Sequence, residues 1–352
     1  MFGELTYLYP KPIFLDTITH IVLGAAIGEA IAGKKMGKRA MLWGALANNA
    51  PDLDVFPGLL QSVPDSLLSH RGFTHSITCA LIIPPLLAWL FQRLYQKKNF
   101  GYTTWYLIFA TGFFAHIFID SLTNYGTGWF EPFSHYRVSF NTIFVLDPFY
   151  TISLLLSFII LLLLKFRAPS RKYFLYGGLI ISTAYLLFTV VNKISVDQFF
   201  EQSLHTNEIA ADDFMTTPTP LNNFLWYDLA KTDNGFYIGY HSIFDTKPDM
   251  ELTFIPKNDS LLGDFRNDPG VQKLIRFSQD YYCITQNDSA GIDFHDMRFG
   301  QVGGWDNPYA GFVFSYNITK NAQQKANINQ GRFEASTGEA FHSLVRRIKG
   351  IH

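Results

Sequence analysis

The stretch that decides the fold is residues 173–192, YFLYGGLIISTAYLLFTVVN, which contains 20 residues and no charged side chain. The hydrocarbon core of a bilayer is about 30 Å thick, and a helix rising about 1.5 Å per residue needs about 20 residues to cross it. The stretch has that length and that composition. It therefore predicts a helix that spans a membrane.

Further apolar segments precede this stretch. Residues 148–164 are uncharged and rich in Leu and Ile, and residues 77–92 and 104–119 are similarly apolar and nearly as long. Each of the three is long enough to cross a bilayer as a helix. We therefore predict three more spanning helices.

Two segments at the start of the chain are weaker candidates. Residues 17–32 contain His20 and Glu29, and residues 40–50 are too short to cross a bilayer unaided. They form either two tilted helices or a re-entrant hairpin packed inside the bundle. We predict an α-helical polytopic membrane domain of about five to six segments.

Basic residues in alternate loops indicate the orientation of these segments. The three clusters are Lys34, Lys35, Lys38 and Arg39; Arg93, Lys97 and Lys98; and Lys165, Arg167, Arg171 and Lys172. Lys and Arg are enriched in cytoplasmic loops, so these loops are expected in the cytoplasm and the acidic, His-rich loops outside. We expect a multi-pass protein of the inner (plasma) membrane with its C-terminal domain on the outer side.

The composition changes after residue 192. Residues 224–229 and 236–243 flank an Asn-Gly pair and predict a β-hairpin, and Phe312, Phe314, Tyr316 and Ile318 alternate as in a half-buried strand. Two further sets of apolar residues have helical spacing: Val271, Leu274 and Ile275, and Phe341, Leu344, Val345 and Ile348. We predict a membrane-embedded domain over residues 1–192 and a soluble, extramembrane α+β domain over residues 193–352.

Charge and cysteine content give no indication of a nucleic-acid-binding protein or of a disulfide-stabilised one. The net charge is −1 and the Lys and Arg residues fall in short clusters, so no basic stripe suggests a nucleic-acid partner. The two cysteines, Cys79 and Cys283, imply no disulfide framework.

Ionisable residues gather at one predicted membrane face. His70-Arg71-Gly72-Phe73-Thr74-His75 places two histidines beside a cation, and His116 and Asp120 share a helix face, which suits two ligands of one metal. The other members of this set are His20, Asp52, Asp54 and Asp147. An ionisable side chain in hydrocarbon costs roughly 2.5 to 3.5 kcal/mol on insertion scales, so such residues usually face a cavity or a partner. The set predicts a polar cavity that opens outward.

Each part of this set also has an ordinary structural interpretation. His116 and Asp120 could form a helix–helix hydrogen bond, residues 51–54 could be a simple turn, and the histidines of residues 70–75 could anchor at the interface. Asp16 could cap the first helix. Separate structural roles would not require four histidines and several aspartates at one depth, so the set as a whole favours a metal site.

The ligand types limit the metal and its chemistry. Imidazole and carboxylate without thiolate favour zinc, manganese or iron, and the number of candidates allows one or two divalent ions. Arg71 would clamp an anionic group such as phosphate, or pair with Asp52 or Asp54. Asp54 or Asp147 could orient a histidine or accept a proton from water.

The motifs together resemble the YdjM-like family of LexA-regulated, inner-membrane, predicted metal-dependent hydrolases. The resemblance covers residues 16–192 and rests on Asp16-Thr17-Ile18-Thr19-His20, Asn49-Ala50-Pro51-Asp52-Leu53-Asp54, His70-Arg71-Gly72-Phe73-Thr74-His75-Ser76, His116-Ile117-Phe118-Ile119-Asp120 and Leu146-Asp147-Pro148. It implies that the metal-site positions are His20, Asp52, Asp54, His70, His75, His116 and Asp120. That family is distantly similar to zinc-dependent phospholipase C and the P1-type nucleases, which implies phosphoester hydrolysis.

We therefore expect a membrane-bound metal-dependent hydrolase whose site opens at the outer face. Metal-activated water would attack an ester, preferably a phosphoester of a lipid or envelope component. The expected partners are membrane lipid and a small-molecule or lipid ester. Two alternatives remain open: a metal-ion transporter that uses Glu29, and a non-catalytic binding protein braced by metal.

Overall fold

The computed structural model describes residues 13–165, 167–246, 250–287, 291–321, 325–331 and 337–351, without the side chains of residues 13–16 and 337–340. The side chain of Asp16 therefore lies outside the described part. The chain forms two compact units. The first comprises the described part of Met1–Pro57 with Ser69–Phe140 and Val145–Phe188, and the second comprises Gly58–Leu68, Asn141–Phe144 and the described part of Thr189–His352.

Helices make up the first part of the chain. They are α1 (Ile13–Met36), α2 (Arg39–Asn49), α3 (Val55–Gly58), α4 (Val63–Ser69), α5 (Ile77–Leu94), α6 (Tyr102–Ser121), α7 (Pro148–Leu163) and α8 (Arg171–Thr206). Two 3₁₀ turns, Pro51–Asp54 and Phe73–His75, carry motif residues between helices. Ser76 begins α5 as its N-cap, because its hydroxyl oxygen accepts a hydrogen bond from the Cys79 N–H at 3.0 Å.

Three helices among the described residues are long and apolar enough to cross a membrane: α5, α6 and α8. The apolar helix α7 has 16 residues, and α2 has 11 residues. At about 1.5 Å per residue, α2 is only about 16 Å long. The predicted count of five to six spans is therefore not confirmed.

Glycines bring α1 and α2 into backbone contact. A Cβ atom at Gly28 would lie 2.0 Å from the carbonyl oxygen of Ala40, and one at Gly44 would lie 2.0 Å from the carbonyl oxygen of Gly24. No larger residue fits between these backbones, which is how small residues allow helices to pack closely in membranes. His20 is one turn from Gly24, so the candidate ligand and the glycines share one face of α1.

A glycine also allows α6 to pack closely against α2. A Cβ atom at Gly112 would lie 2.9 Å from the Cβ of Ala47 on α2. His116 and Asp120 follow Gly112 one and two turns later, so they share its face of α6. The glycine contacts therefore set the positions of candidate ligands on α1 and α6.

The second unit contains two antiparallel four-stranded sheets. The first sheet has the order β1 (Asp213–Pro218), β2 (Leu225–Thr232), β3 (Gly235–Ser242) and β4 (Thr253–Pro256). The second has the order β5 (Tyr282–Gln286), β6 (Ile292–Gln301), β7 (Phe312–Lys320) and β8 (Ala326–Gln330). Helix α9 (Pro269–Phe277) precedes β5 and α10 (Thr337–Ile348) follows β8, which confirms the two predicted amphipathic helices.

The predicted hairpin is present as β2 and β3, but its turn differs from the prediction. Thr232 pairs with Gly235, so the two-residue loop is Asp233-Asn234 and the glycine belongs to the strand. A Cβ atom at Gly235 would lie 2.4 Å from the carbonyl oxygen of Ile255 on β4. The glycine is therefore needed for close strand packing rather than for the turn.

One core joins both sheets of the second unit. Leu229 and Phe236 of the first sheet pack with Cys283 and Met297 of the second, and all four are buried. A second core beside it takes in Val271 of α9 and other apolar residues of the second sheet. Burial of these apolar faces is the main source of stability in such a unit.

Candidate metal centre

Four candidate ligands meet inside the first unit. Asp52 lies in the turn after α2, His75 in the turn before α5, and His116 and Asp120 lie one turn apart on α6. One ligand atom from each lies within 4.8 Å of the others. The structure thus brings together residues up to 68 positions apart in the sequence, as the predicted convergence requires.

The distances between these atoms fit a single small cation. The Nε2 atoms of His75 and His116 are 2.9 Å apart. They lie 3.3 and 3.4 Å from Asp52 Oδ1, and 3.2 and 3.3 Å from Asp120 Oδ2. A tetrahedron with metal–ligand bonds of about 2.0 Å has edges of about 3.3 Å. The residues present therefore fit a tetrahedral metal ion.

Burial and hydrogen bonding make the same point. The side chains of His75 and His116 have no exposed surface, and that of Asp120 is 1% exposed. Within the described residues, Asp120 Oδ2 has no hydrogen-bond partner. A cation placed between the two Nε2 atoms, which are 2.9 Å apart, would accept their lone pairs and would also satisfy this carboxylate oxygen.

A second, less buried group adjoins the first. It consists of Asp52, Asp54 and His70, so Asp52 belongs to both groups. The side chains of Asp52 and His70 are each 18% exposed. A carboxylate has two oxygens and can serve two neighbouring ions. The geometry therefore has room for two ions that share Asp52, with the second more open to solvent.

Asp54 and Thr74 fix the orientation of His75. The Thr74 hydroxyl donates a hydrogen bond to Asp54 Oδ2 at 2.7 Å, and Thr74 Oγ1 lies 2.9 Å from His75 Nδ1. The threonine oxygen can therefore accept the hydrogen of Nδ1, which leaves the Nε2 lone pair for a metal. Sequence reasoning gave Thr74 no role, although its place between two candidate ligands was visible.

The same contacts influence the ionisation of Asp54. Burial raises the pKa of its carboxyl group, but hydrogen bonds from His70 and His75 outweigh burial and hold the pKa well below its usual range. Asp54 Oδ1 lies 3.1 Å from His70 Nδ1. The carboxylate is thus ionised at neutral pH, as a metal-binding carboxylate must be.

His20 lies at the edge of the first group. Its Nε2 is 3.1 Å from Asp120 Oδ1, and its ring centroid is 4.0 Å from that of His116. The side-chain amide of Asn48 on α2 donates to the His20 carbonyl oxygen at 2.8 Å. His20 belongs to neither the four-residue nor the three-residue group, and it contacts the first group through Asp120 and His116.

Arg71 pairs with a different aspartate from those expected. Its guanidinium Nη2 lies 3.2 Å from Asp120 Oδ1, and its Nη1 donates to Thr123 Oγ1 at 2.7 Å. Its backbone N–H donates to Asp54 Oδ2 at 3.1 Å. Its φ of 56° is in the left-handed region, which is uncommon for a residue other than glycine. The strained backbone lets one residue contact both aspartates.

Arg137 also supports the site, and sequence reasoning missed it. Its Nη2 donates to the carbonyl oxygens of His70 at 2.7 Å and of Gly126 at 3.0 Å. It lies 67 positions after His70 in an irregular segment, where no local pattern points to a partner.

Asp147 lies outside both ligand groups. Its Oδ1 accepts hydrogen bonds from the Phe149 and Tyr150 N–H groups, and its Oδ2 accepts one from the Tyr185 hydroxyl at 2.7 Å. Burial raises the pKa of its carboxyl group. In this structure Asp147 is the N-cap of α7.

Apolar helices of membrane-spanning length and a buried His/Asp cluster define the class: a membrane protein with a group of residues that could hold a metal ion. The particular family follows from sequence comparison. The profile described as YdjM inner membrane protein matches residues 15–196, which is half of the chain, and the chain belongs to that family. This confirms the resemblance to a YdjM-like family.

Two relatives are similar to the chain over different lengths. The uncharacterized protein YfhP of Bacillus subtilis (strain 168) is 26% identical over 306 residues, which cover 82% of this chain and 88% of YfhP. The inner membrane protein YbcI of Escherichia coli (strain K12) is 29% identical over 122 residues, which cover 34% of this chain and 69% of YbcI. No solved structure matches the chain significantly.

Proposed function

We propose that this protein is a membrane-bound metal-dependent hydrolase. The observation that carries the proposal is the pair of ligand groups that share Asp52, of which the second is less buried than the first. Paired metal sites of this kind are common in enzymes that hydrolyse phosphoesters. Zinc is the proposed metal, because the four ligand atoms of the first group, three of them on buried residues, are nitrogen and oxygen at tetrahedral spacing.

Specific residues would hold the ions and their surroundings. His75, His116 and Asp120 would hold the buried ion, His70 and Asp54 the open one, and Asp52 both. Bound divalent ions supply Lewis acidity and make water ionise near neutral pH. His70, at the more exposed group, is on the side where water and an ester can arrive.

Other residues would act by positioning. Thr74 and Asp54 hold the His75 ring, and Arg71 holds Asp120 through a contact of 3.2 Å. With its guanidinium already engaged by Asp120 and Thr123, Arg71 is better suited to keeping a ligand in place than to clamping a substrate. We propose this positioning role for Arg71.

The surroundings of the ligands favour a lipid ester as substrate. Leu53 lies between Asp52 and Asp54 and is 60% exposed, while Phe73 lies between Arg71 and His75 and is 51% exposed. The turns that bury the ligands thus direct apolar side chains outward, where acyl chains or a membrane interface would contact them. From the distribution of Lys and Arg we propose that the site opens at the outer face of the inner membrane, with the C-terminal unit on that side.

A second candidate is a metal site that only braces the helices. It is favoured by the complete burial of His75 and His116. The transporter alternative has less support, because the carboxylate of Glu29 is already paired with Arg171 at 2.8 Å. A carboxylate that is already paired with an arginine is a poor binding site for a transported cation.

Metal content and turnover of the same detergent-purified samples test the proposal. The variants are His116→Ala, Asp54→Asn and, as a matched histidine control, His135→Ala, whose side chain is 63% exposed and contacts Glu131. After dialysis against a weak chelator, we expect zinc, manganese or iron in the wild type and in the His135 control. His116→Ala should lose metal, and Asp54→Asn should keep its fold but lose hydrolysis of a chromogenic phosphodiester.

Two results would count against the proposal. Wild type that takes up no transition metal would exclude the metal mechanism. Metal-loaded wild type that hydrolyses neither phosphodiester nor carboxylester, while Asp54→Asn unfolds and loses metal, would favour the bracing role.

A further inference from the structure

A basic pocket lies apart from the metal ligands in the first unit. Its volume is about 730 Å³, and it is formed by the connection between α1 and α2 and the segment after α7. Five of its seven lining residues are cationic and none is acidic: Lys35, Lys38, Arg39, Lys165 and Arg167 are the cations. All five are exposed. Two chain segments more than a hundred positions apart thus bring positive charge to one concavity.

Glu29, on the helix that ends beside the pocket, is already paired with a cation outside the pocket lining. Glu29 pairs with Arg171 at 2.8 Å, and both side chains are less than a tenth exposed. Arg171 also donates to the Leu161 carbonyl oxygen at the end of α7, and Lys38 donates to that of Leu162. These contacts fix the segments that form the pocket and leave its net charge strongly positive.

The start of α2 adds to the positive potential. Its N-cap, Lys38, makes no side-chain capping hydrogen bond, and its first turn contains no acidic residue. The N-terminus of a helix carries partial positive charge and free N–H groups, which suit an anion. The pocket therefore combines five cationic side chains with a helix N-terminus.

An exposed apolar stripe on α7 leads to the pocket. Ile152, Leu156, Ile159 and Leu163 are spaced at one helix face, and they are 50%, 55%, 44% and 80% exposed. Leu163 is two residues before the lining residue Lys165. Cations at the end of an apolar helix surface match a molecule with an anionic head and hydrocarbon tails.

We propose that this pocket binds the phosphate group of an anionic phospholipid, with the acyl chains along the stripe on α7. The cations supply charge and hydrogen-bond donors to the phosphate oxygens. The apolar stripe favours a lipid over a soluble phosphate, which would contact the cations alone. The pocket shares no residue with the metal ligands, so this proposal does not depend on the proposed hydrolase activity.

Lipid binding by the full chain in neutral detergent tests the proposal. Native mass spectrometry would follow titration with phosphatidylglycerol and, separately, phosphatidylcholine. The pocket variant is Arg39→Gln with Arg167→Gln. The charge-matched control is Lys97→Gln with Lys98→Gln, because these cations lie in another turn and outside the pocket. We expect wild type and control to bind phosphatidylglycerol about ten-fold more tightly than phosphatidylcholine, and the pocket variant to lose that preference.

Several outcomes would overturn the assignment. Equal binding of the two lipids by wild type would do so, and so would equal loss of binding in the control and the pocket variant. Inorganic pyrophosphate at constant ionic strength distinguishes the source of the phosphate: if it binds delipidated protein as tightly as phosphatidylglycerol does, the ligand is a soluble anion. If the double variant melts early, Lys165→Gln alone carries the same test with the same expected loss of preference.

Discussion

The Nδ1 atom of His75 lies 2.9 Å from Thr74 Oγ1, and the hydroxyl of Thr74 donates onward to Asp54. These two hydrogen bonds favour the imidazole tautomer that carries its hydrogen on Nδ1. The lone pair of Nε2 then faces Asp52 and Asp120. Removing the hydroxyl in Thr74→Val should therefore lower metal affinity by about 10- to 100-fold without removing a ligand. Competition with a fluorescent chelator measures the affinity. Thr74→Ser keeps the hydroxyl and should bind like wild type; equal affinities of the Val and Ser variants would contradict the role.

Asp52 should be the residue on which both ions depend. Asp52→Ala removes a ligand from each group, so we expect loss of both ions, whereas His70→Ala should lose only the one at the less buried group. Elemental analysis of folded, dialysed protein would then give about two, one and no ions for wild type, His70→Ala and Asp52→Ala. If Asp52→Ala retained one ion, Asp52 would not be a ligand that both ions share.

Backbone contact between α1 and α2 should make the site intolerant of a single methyl group. The Cβ of Gly28→Ala would lie 2.0 Å from a backbone oxygen, which cannot move aside as a side chain could. Overpacking of this kind costs about 1 to 3 kcal/mol. We expect a lower melting temperature in detergent and less bound metal.

Gly177→Ala on α8 is the matched control for that substitution. Its Cβ would meet nothing within 4 Å, so the same change should leave melting unchanged or raise it slightly, as alanine favours helices. Equal melting temperatures for the two variants would show that α1 and α2 do not touch at Gly28.

Cys283 should be unreactive in the native protein. It is 1% exposed in the core that joins the sheets, and burial raises the pKa of its thiol to about 12. Thiolate is the reactive form, so alkylation at pH 8 should be slow before denaturation and fast after it. With rising pH the native rate should increase up to about pH 12 without levelling off, unlike that of an ordinary cysteine. Peptide mass spectrometry measures both rates, and rapid native labelling would show that this core opens.

Much of the site could be predicted from residue type and spacing. His116 and Asp120 share a face because four residues make about one helical turn, and six of the seven expected ligands lie in the two groups. The seventh, His20, contacts Asp120. The contact of Arg71 with Asp120 could not be predicted, because it depends on a left-handed backbone and on how distant segments pack.

At Asp147 and Gly235 the structure differs from the role that the sequence analysis predicted, although the neighbouring residues are consistent with the observed role. Asp147 is followed by Pro148, the usual sequence of an N-cap and a first helical residue, and the structure uses it in that way. Gly235 follows Asn234 as in a turn, yet β4 requires the glycine for close packing. The number of spans depends on helix ends and tertiary packing, which apolar length alone does not determine.

The glycine contacts among α1, α2 and α6 have a mechanical consequence. Helices usually meet through a layer of side chains that can change rotamer and absorb small displacements. At Gly28 and Gly44 the backbones of α1 and α2 meet without such a layer, so the position of His20 on α1 is set by direct backbone contact. The helices also meet through side chains, as where the buried ring of Trp105 on α6 contacts those of Trp43 on α2 and Phe91 on α5. Heat or pressure should therefore alter the spacing between His20 and Asp120 less than it alters the distances between these rings.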